Sequence, residues 1–422
     1  MFTKSFDRNS QPNTTPTHNY RAVFAKGFLL ACLVLLVNSV ATRAAYTVSN
    51  TAELITAIEK ANAATGISLI YMKPGTYTPL TAYKNTDNAF PKITASISIV
   101  GLFNGAVIAR PGTAPPFRFF EVGPTGQLWI DRLTLTLGQG NGVGGAILNY
   151  GSLTVLTSYF IRNLAVNPTG PSAGGAIYNQ FGKVVIRNSS FFVNRAALGG
   201  GIASDGSLAT LPAPNQIAQV TIETSALVEN AAQDKGFGAL GGGLFIRGAN
   251  EINIHDTTIS GNSSPTYGGG LVFQFVPKIN HVSLRNLTVV DNQATLEGGG
   301  IYYDSGSLPY YAMTYVEIQN SIVTNNGLLA PNRDFAGNGV IKSLGHNIYG
   351  TFSNYFSGYT DFYAPFLANL TYHDDKKPGD QYWWPEIGCL ALNNGDPANA
   401  GTSDQLSVVR GSVNDIGAIE RP

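Results

Sequence analysis

At 422 residues the chain is long enough to bury a large core, yet only 12% of it is charged, about half the usual share, and 48 residues are glycine. Bases and acids balance at 26 each, but five of the bases and one of the acids fall in residues 1–44. Without them 21 bases face 25 acids, a net of −4, and no basic stripe is left to hold nucleic acid. Cys32 lies in an apolar N-terminal run and Cys389 stands alone beyond it, so neither a disulfide framework nor a cysteine–histidine zinc site is expected, and no other metal site is.

Residues 1–20 are polar and rich in Asn, Thr and Pro, a composition that cannot bury a core. Arg21 and Lys26 then precede the apolar run 27–40, which small residues follow; this is the pattern of a signal peptide, with cleavage after Ala41 or Ala44. The run is shorter than the ~20 residues of a spanning helix, so the mature chain is expected to be exported without a membrane span, to the medium or the cell surface. Residues 45–138 read as an N-terminal cap and irregular first coils. Asn50 with Glu53 three residues later starts a helix whose Leu54, Ile58 and Ala61 share one face, a lid for the first coil.

Residues 139–345 carry the repeats. The stretch EINIHDTTISGNSSPTYGGG, opening at Glu251, is followed one cycle later by HVSLRNLTVVDNQATLEGGGI in the same register. Six cycles alternate apolar and other residues, as in Leu153/Val155, Val184/Ile186 and Val220/Ile222. A small polar column follows (Thr157, Asn188, Thr224, Asp256, Asn286, Asn320), and each cycle closes on asparagine: Asn163, Asn194, Asn230, Asn262, Asn292 and Asn326. Gly-Gly pairs separate the cycles. A period of about 30 residues means stacked units, and alternation at period 2 makes those units strands. The pattern predicts an all-β, single-stranded, right-handed parallel β-helix of nine or ten coils, roughly 45 Å long at ~4.8 Å per coil. The closing asparagines are expected to take a left-handed backbone at a tight corner and to bond amide to amide along the axis. Insertions at 205–217, 231–240 and 304–313 mark a possible binding side. Residues 346–422 leave the pattern, and their aromatics, Trp383 and Trp384 included, predict a C-terminal cap over the last coil.

One column breaks the repeat with charge. The third position after each Gly-Gly-x-Ile/Leu element reads Tyr150, Gln180, Asp205, Arg247, Gln274 and Asp304, which makes Asp205, Arg247 and Asp304 the catalytic candidates. Coil stacking would set Asp205 and Arg247 one strand spacing apart; an ordinary solvated face with a surface ion pair is the plainer account of them. Tyr302, Tyr310 and Tyr311 are candidates for stacking on sugar rings. His255 and His281 differ in their offset within the repeat and do not make a metal pair.

Gly-Gly-Ala-Ile at 144–147 and 174–177, with Phe-x-x-Asn at 160–163 and 191–194, resembles the repeats of polymorphic outer-membrane proteins. Gly395-Asp396-Pro397-Ala398-Asn399-Ala400-Gly401, Asp404-Gln405, Arg410-Gly411 and 415–420 (DIGAIE) resemble a choice-of-anchor domain. Together these resemblances imply an exported bacterial β-helix of the pectate-lyase-like superfamily, without fixing an activity. The function expected is adhesin-like or carbohydrate- or matrix-binding, by a monomer whose partner is a polysaccharide or cell-surface ligand. The alternative is a polysaccharide lyase or glycoside hydrolase on the insertion-bearing face. No cofactor is expected, and calcium only if the protein is a lyase.

Overall fold

The computed structural model describes residues 44–421 except 104, 207–217, 234–237, 249, 275–280, 307–314, 328–333, 353–354, 357, 365–366, 376 and 380. The chain is a parallel β-helix. A full coil contributes strands on four faces, exemplified by Ser152–Leu156, Tyr159–Ile161, Leu164–Val166 and Ile177–Gln180 on faces 1 to 4. Coil after coil repeats them in parallel register, so that Leu153 lies between Leu128 and Val184, and Ile177 between Ile147 and Ile202.

Face 1 is a ladder of twelve strands joined by eleven parallel pairings, from Ala45–Val48 to Tyr355–Phe356. That exceeds the nine or ten coils read from the repeats, because strands without the Asn motif join at both ends. Backbone pairing does not need the motif; only the corner does. The inward residues of faces 1 and 2 make one continuous core, in which Phe160 stacks on Phe191 at 4.7 Å between ring centroids. Helix α1 (Thr51–Ala63) buries Leu54, Ile58 and Ala61, and Asn50 and Glu53 cap it reciprocally: Glu53 N–H donates to Asn50 Oδ1 at 2.9 Å, and Asn50 Nδ2 donates to Glu53 Oε1 at 2.8 Å.

The corner between faces 2 and 3 carries the asparagines, all buried. From Asn163 to Asn292 each side-chain amide donates to the Oδ1 of the next at 2.9–3.0 Å and also to a backbone carbonyl one coil earlier; Asn326 donates to Asp334 Oδ1 at 2.9 Å. The left-handed residues are not these asparagines but their predecessors: Arg162, Val193, Glu229, Gly261, Asp291 and Asn325 have φ of 53–65°. The small polar column is left-handed too, at φ 44–52°. In the Gly-Gly pairs, a Cβ on Gly175 would sit 2.0 Å from the carbonyl oxygen of Gly200, so the coils approach too closely there for any side chain.

Tyr355–Phe356 and Phe362–Tyr363 pair onto the last coils, but Trp383 does not lie there. Trp383 Nε1 donates to Ser260 Oγ at 2.8 Å, Thr258 Oγ1 to Gln405 Oε1 at 2.7 Å, Ala418 N–H to Thr288 Oγ1 at 3.0 Å, and Gly379 N–H to Ser190 Oγ at 2.7 Å. The segment therefore runs along face 2 across several coils. It buries the outward residues Thr258, Ser260, Thr288 and Val290, whereas Thr134, Thr136 and Ile161 in earlier coils stay half-exposed. Among the described residues no helix is long and apolar enough to cross a membrane.

Candidate functional site

Asp205, Arg247 and Asp304 share face 4, in one register that runs Gln180, Asp205, Arg247, Gln274, Asp304. Asp205 is buried, is bonded to Arg247 Nη2 at 2.5 Å, and accepts from the Tyr178 hydroxyl, whose pKa burial and the Asp205 charge drive far up. Asp304 takes Gln274 Nε2 at 3.2 Å and the Gly306 N–H at 2.8 Å. Asp205 and Asp304 are three strand spacings apart, roughly 14 Å, which exceeds the ~5–9.5 Å of a hydrolase carboxyl pair. Tyr302 is half-buried and stacked on Tyr267 at 4.6 Å; burial, then the Asp304 charge, push its hydroxyl up to about 12. Tyr310 and Tyr311 lie outside the described residues, as does most of the insertions 205–217 and 304–313.

Face 1 presents a different arrangement. Alternate residues of its strands must point outward, and in four consecutive coils all of them but Val185 are polar or charged. The strand registers put Arg187, Glu223, His255 and Arg285 in one column and Lys183, Gln219, Glu251 and His281 in another. Lys183, Arg187, Glu223, His255, His281 and Arg285 line a shallow, open groove between them.

Within the first column Arg187 grips Glu223 through Nε–Oε2 at 2.6 Å and Nη2–Oε1 at 3.0 Å, a bidentate pair. Burial opposes ionisation of Glu223, but Arg187 and His255 outweigh it and hold the carboxyl below the usual range. His255 lies between two carboxylates, with Nδ1 2.8 Å from Asp256 Oδ2 and Nε2 3.6 Å from Glu223 Oε1. Burial works against the imidazolium there; the bonds and charges of Asp256 and Glu223 prevail and raise its pKa. Arg285 completes the column. It is exposed, and none of the ion pairs among the described residues uses its guanidinium. The arrangement offers one free guanidinium beside a histidine favoured as a cation, with Lys183 and His281 across the groove.

Sequence reasoning placed Asp205 and Arg247 next to each other but passed over this groove. The available signal was that the residue just before the small polar column is charged or ionisable in four successive cycles (Arg187, Glu223, His255, Arg285). Among the described residues no group of three histidines, cysteines or carboxylates is placed to hold a metal ion.

No known protein-family model matches the chain, and no curated protein does. A solved structure of a PL6 family alginate lyase, AlyGC, matches over 81% of this chain and 55% of the lyase at 12% identity, with a TM-score of 0.25. The chain thus spans about half the length of that lyase.

Proposed function

We propose that this chain is an exported β-helical protein that binds an acidic polysaccharide in the face 1 groove, at a cell surface or in an extracellular matrix. The observation that carries the proposal is the exposed Arg285 guanidinium, free of ion pairs among the described residues, in register with His255. A guanidinium matches the two oxygens of a carboxylate or sulfate with two parallel donors. Coils advance by ~4.8 Å, so a glycan lying along the axis would offer its acidic groups to successive coils. Asp205 and Asp304, where two of the insertions begin, lie on face 4, so this reading moves the ligand from the face the sequence favoured to face 1.

The test is titration of the mature protein with a polyuronate, a sulfated glycan and a neutral glucan at low and moderate salt. Binding of the charged glycans that weakens with salt and falls by about tenfold in Arg285→Ala supports the reading. Equal binding of the neutral glucan, or no binding of the charged ones, overturns it.

A polysaccharide lyase or hydrolase is the second reading, favoured by one observation: His255, held between Glu223 and Asp256 in an open groove, is equipped to move a proton near neutral pH. Absorbance of unsaturated products and release of reducing ends measure it directly, and calcium would be added in that assay. Binding without product leaves the first reading standing.

A further inference from the structure

The C-terminal segment and the groove share a residue. Asp256 is the left-handed corner residue that follows His255, and its two carboxylate oxygens face opposite ways. Oδ2 holds His255 Nδ1 at 2.8 Å on the groove side. On the other side Oδ1 accepts from Arg410 Nη2 at 3.2 Å and from Asn286 Nδ2 at 2.9 Å. Arg410 is fully buried and is fixed in turn by the carbonyl oxygens of Gly417 (2.8 Å) and Asp415 (3.3 Å) and by Glu420 Oε2 at 3.5 Å. A buried carboxylate without a cation is expensive to keep charged. The Arg410 guanidinium thus sets a buried cation against Asp256 on the side away from the histidine ring.

We propose that Arg410 is a positioning residue for the groove: by holding Asp256 in place it keeps His255 a cation beside Arg285, and so makes recognition of an acidic glycan depend on pH. The glycan part rests on the binding function proposed above; the link from Arg410 to His255 does not. The charged and titratable groups facing His255 are Glu223 from the preceding coil, Asp256 from its own, Arg285 from the following coil, Lys183 and His281 across the groove, and Arg410 of the C-terminal segment behind Asp256; Arg187 acts through Glu223. The sign follows from the raised pKa of His255. Below that pKa the ring adds positive charge to the groove, and as pH rises through it this charge, with its share of the affinity, disappears.

The experiment is an NMR titration of the His255 ring in the unliganded protein, compared with Arg410→Met, Arg410→Lys and Asp256→Asn. The proposal expects the midpoint to fall by roughly one unit or more in Arg410→Met and Asp256→Asn, and to return toward the parent value in Arg410→Lys. A midpoint that is unchanged or higher in Arg410→Met overturns it, since Arg410 would then act only as a competing positive charge. Should Arg410→Met fail to fold, His255→Gln decides through binding of polyuronate at pH 5.5 and 8.5. Parent affinity that falls several-fold between the two while the variant's stays flat supports the pH dependence; equal slopes overturn it. If polyuronate fails to bind at all, the binding function falls, and the titration still judges the Arg410 link.

Discussion

Two columns of this β-helix share one scaffold and one spacing but obey opposite rules. The corner column from Asn163 to Asn326 is the same residue in six cycles, is buried, and bonds amide to amide along its length and to backbone carbonyls beside it. The outward column Arg187, Glu223, His255, Arg285 changes residue at every coil, is open to solvent, and ends on a guanidinium that pairs with no carboxylate among the described residues. Sameness marks what every coil needs in order to stack. A run of differing charged residues at a position where stacking makes no demand marks what the coils hold out to something else.

The comparison is broken most forcefully through the buried column. Asn262→Leu removes the acceptor of the Asn230 N–H and side-chain amide and the donor to the Leu227 carbonyl, and should cost about 3–5 kcal/mol in denaturant unfolding. Any glycan binding by the molecules that stay folded should be unaffected. The acidic end of that column adds a pH test. Burial raises Asp334 to about 6, against the bonds from Asn326 and Thr351 that favour its charge. Its folded pKa lies above its unfolded value, so the stability it contributes is present below about pH 4 and is lost as pH rises to about 6, by no more than about 3 kcal/mol. Asp334→Asn should flatten that part of the stability profile, followed by thermal melts from pH 4 to 7.

The exposed column should respond the other way. Arg285→Ala is expected to weaken polyuronate binding by about tenfold, the loss of one charge-assisted contact, with an unchanged melting temperature. The smallest effect belongs to Arg187→Ala. Its pair with Glu223 is half-exposed on the arginine side, so the variant should lose less than about 1 kcal/mol of stability, measurable by denaturant titration.

The parallel β-helix was legible because stacking imposes a period of about 30 residues, and alternation at period 2 within it separates stacked strands from helical repeats. The cap of helix α1 was legible for the same local reason, Asn50 and Glu53 lying three residues apart. Which of two adjacent corner residues turns left-handed was not. Any residue before the asparagine can take that turn, Val193 included, whereas only an amide can both donate to and accept from its neighbours along the axis. The column of Asp205 and Arg247 was visible through its spacing, but not the burial that commits Asp205 to Arg247 and Tyr178. The groove escaped because each of its residues is unremarkable in its own cycle and becomes a site only when four coils are read together. The course of the C-terminal segment along face 2 escaped because it rests on pairs such as Ser260 with Trp383, which lie 123 residues apart and follow no period.

That segment also changes how the molecule should come apart. In a plain solenoid each coil touches only its neighbours, so the stack behaves as a one-dimensional array and frays from its ends, coil by coil. Here one stretch of chain bonds to Ser190, Thr258, Thr288 and Asn320 at once, through pairs 95 to 189 residues apart. These coils cannot unzip singly without first releasing the tie, so amide hydrogen exchange should show them as one cooperative block. The coils before residue 166 have no such tie among these bonds, and there protection should grade away gradually toward the N-terminal end.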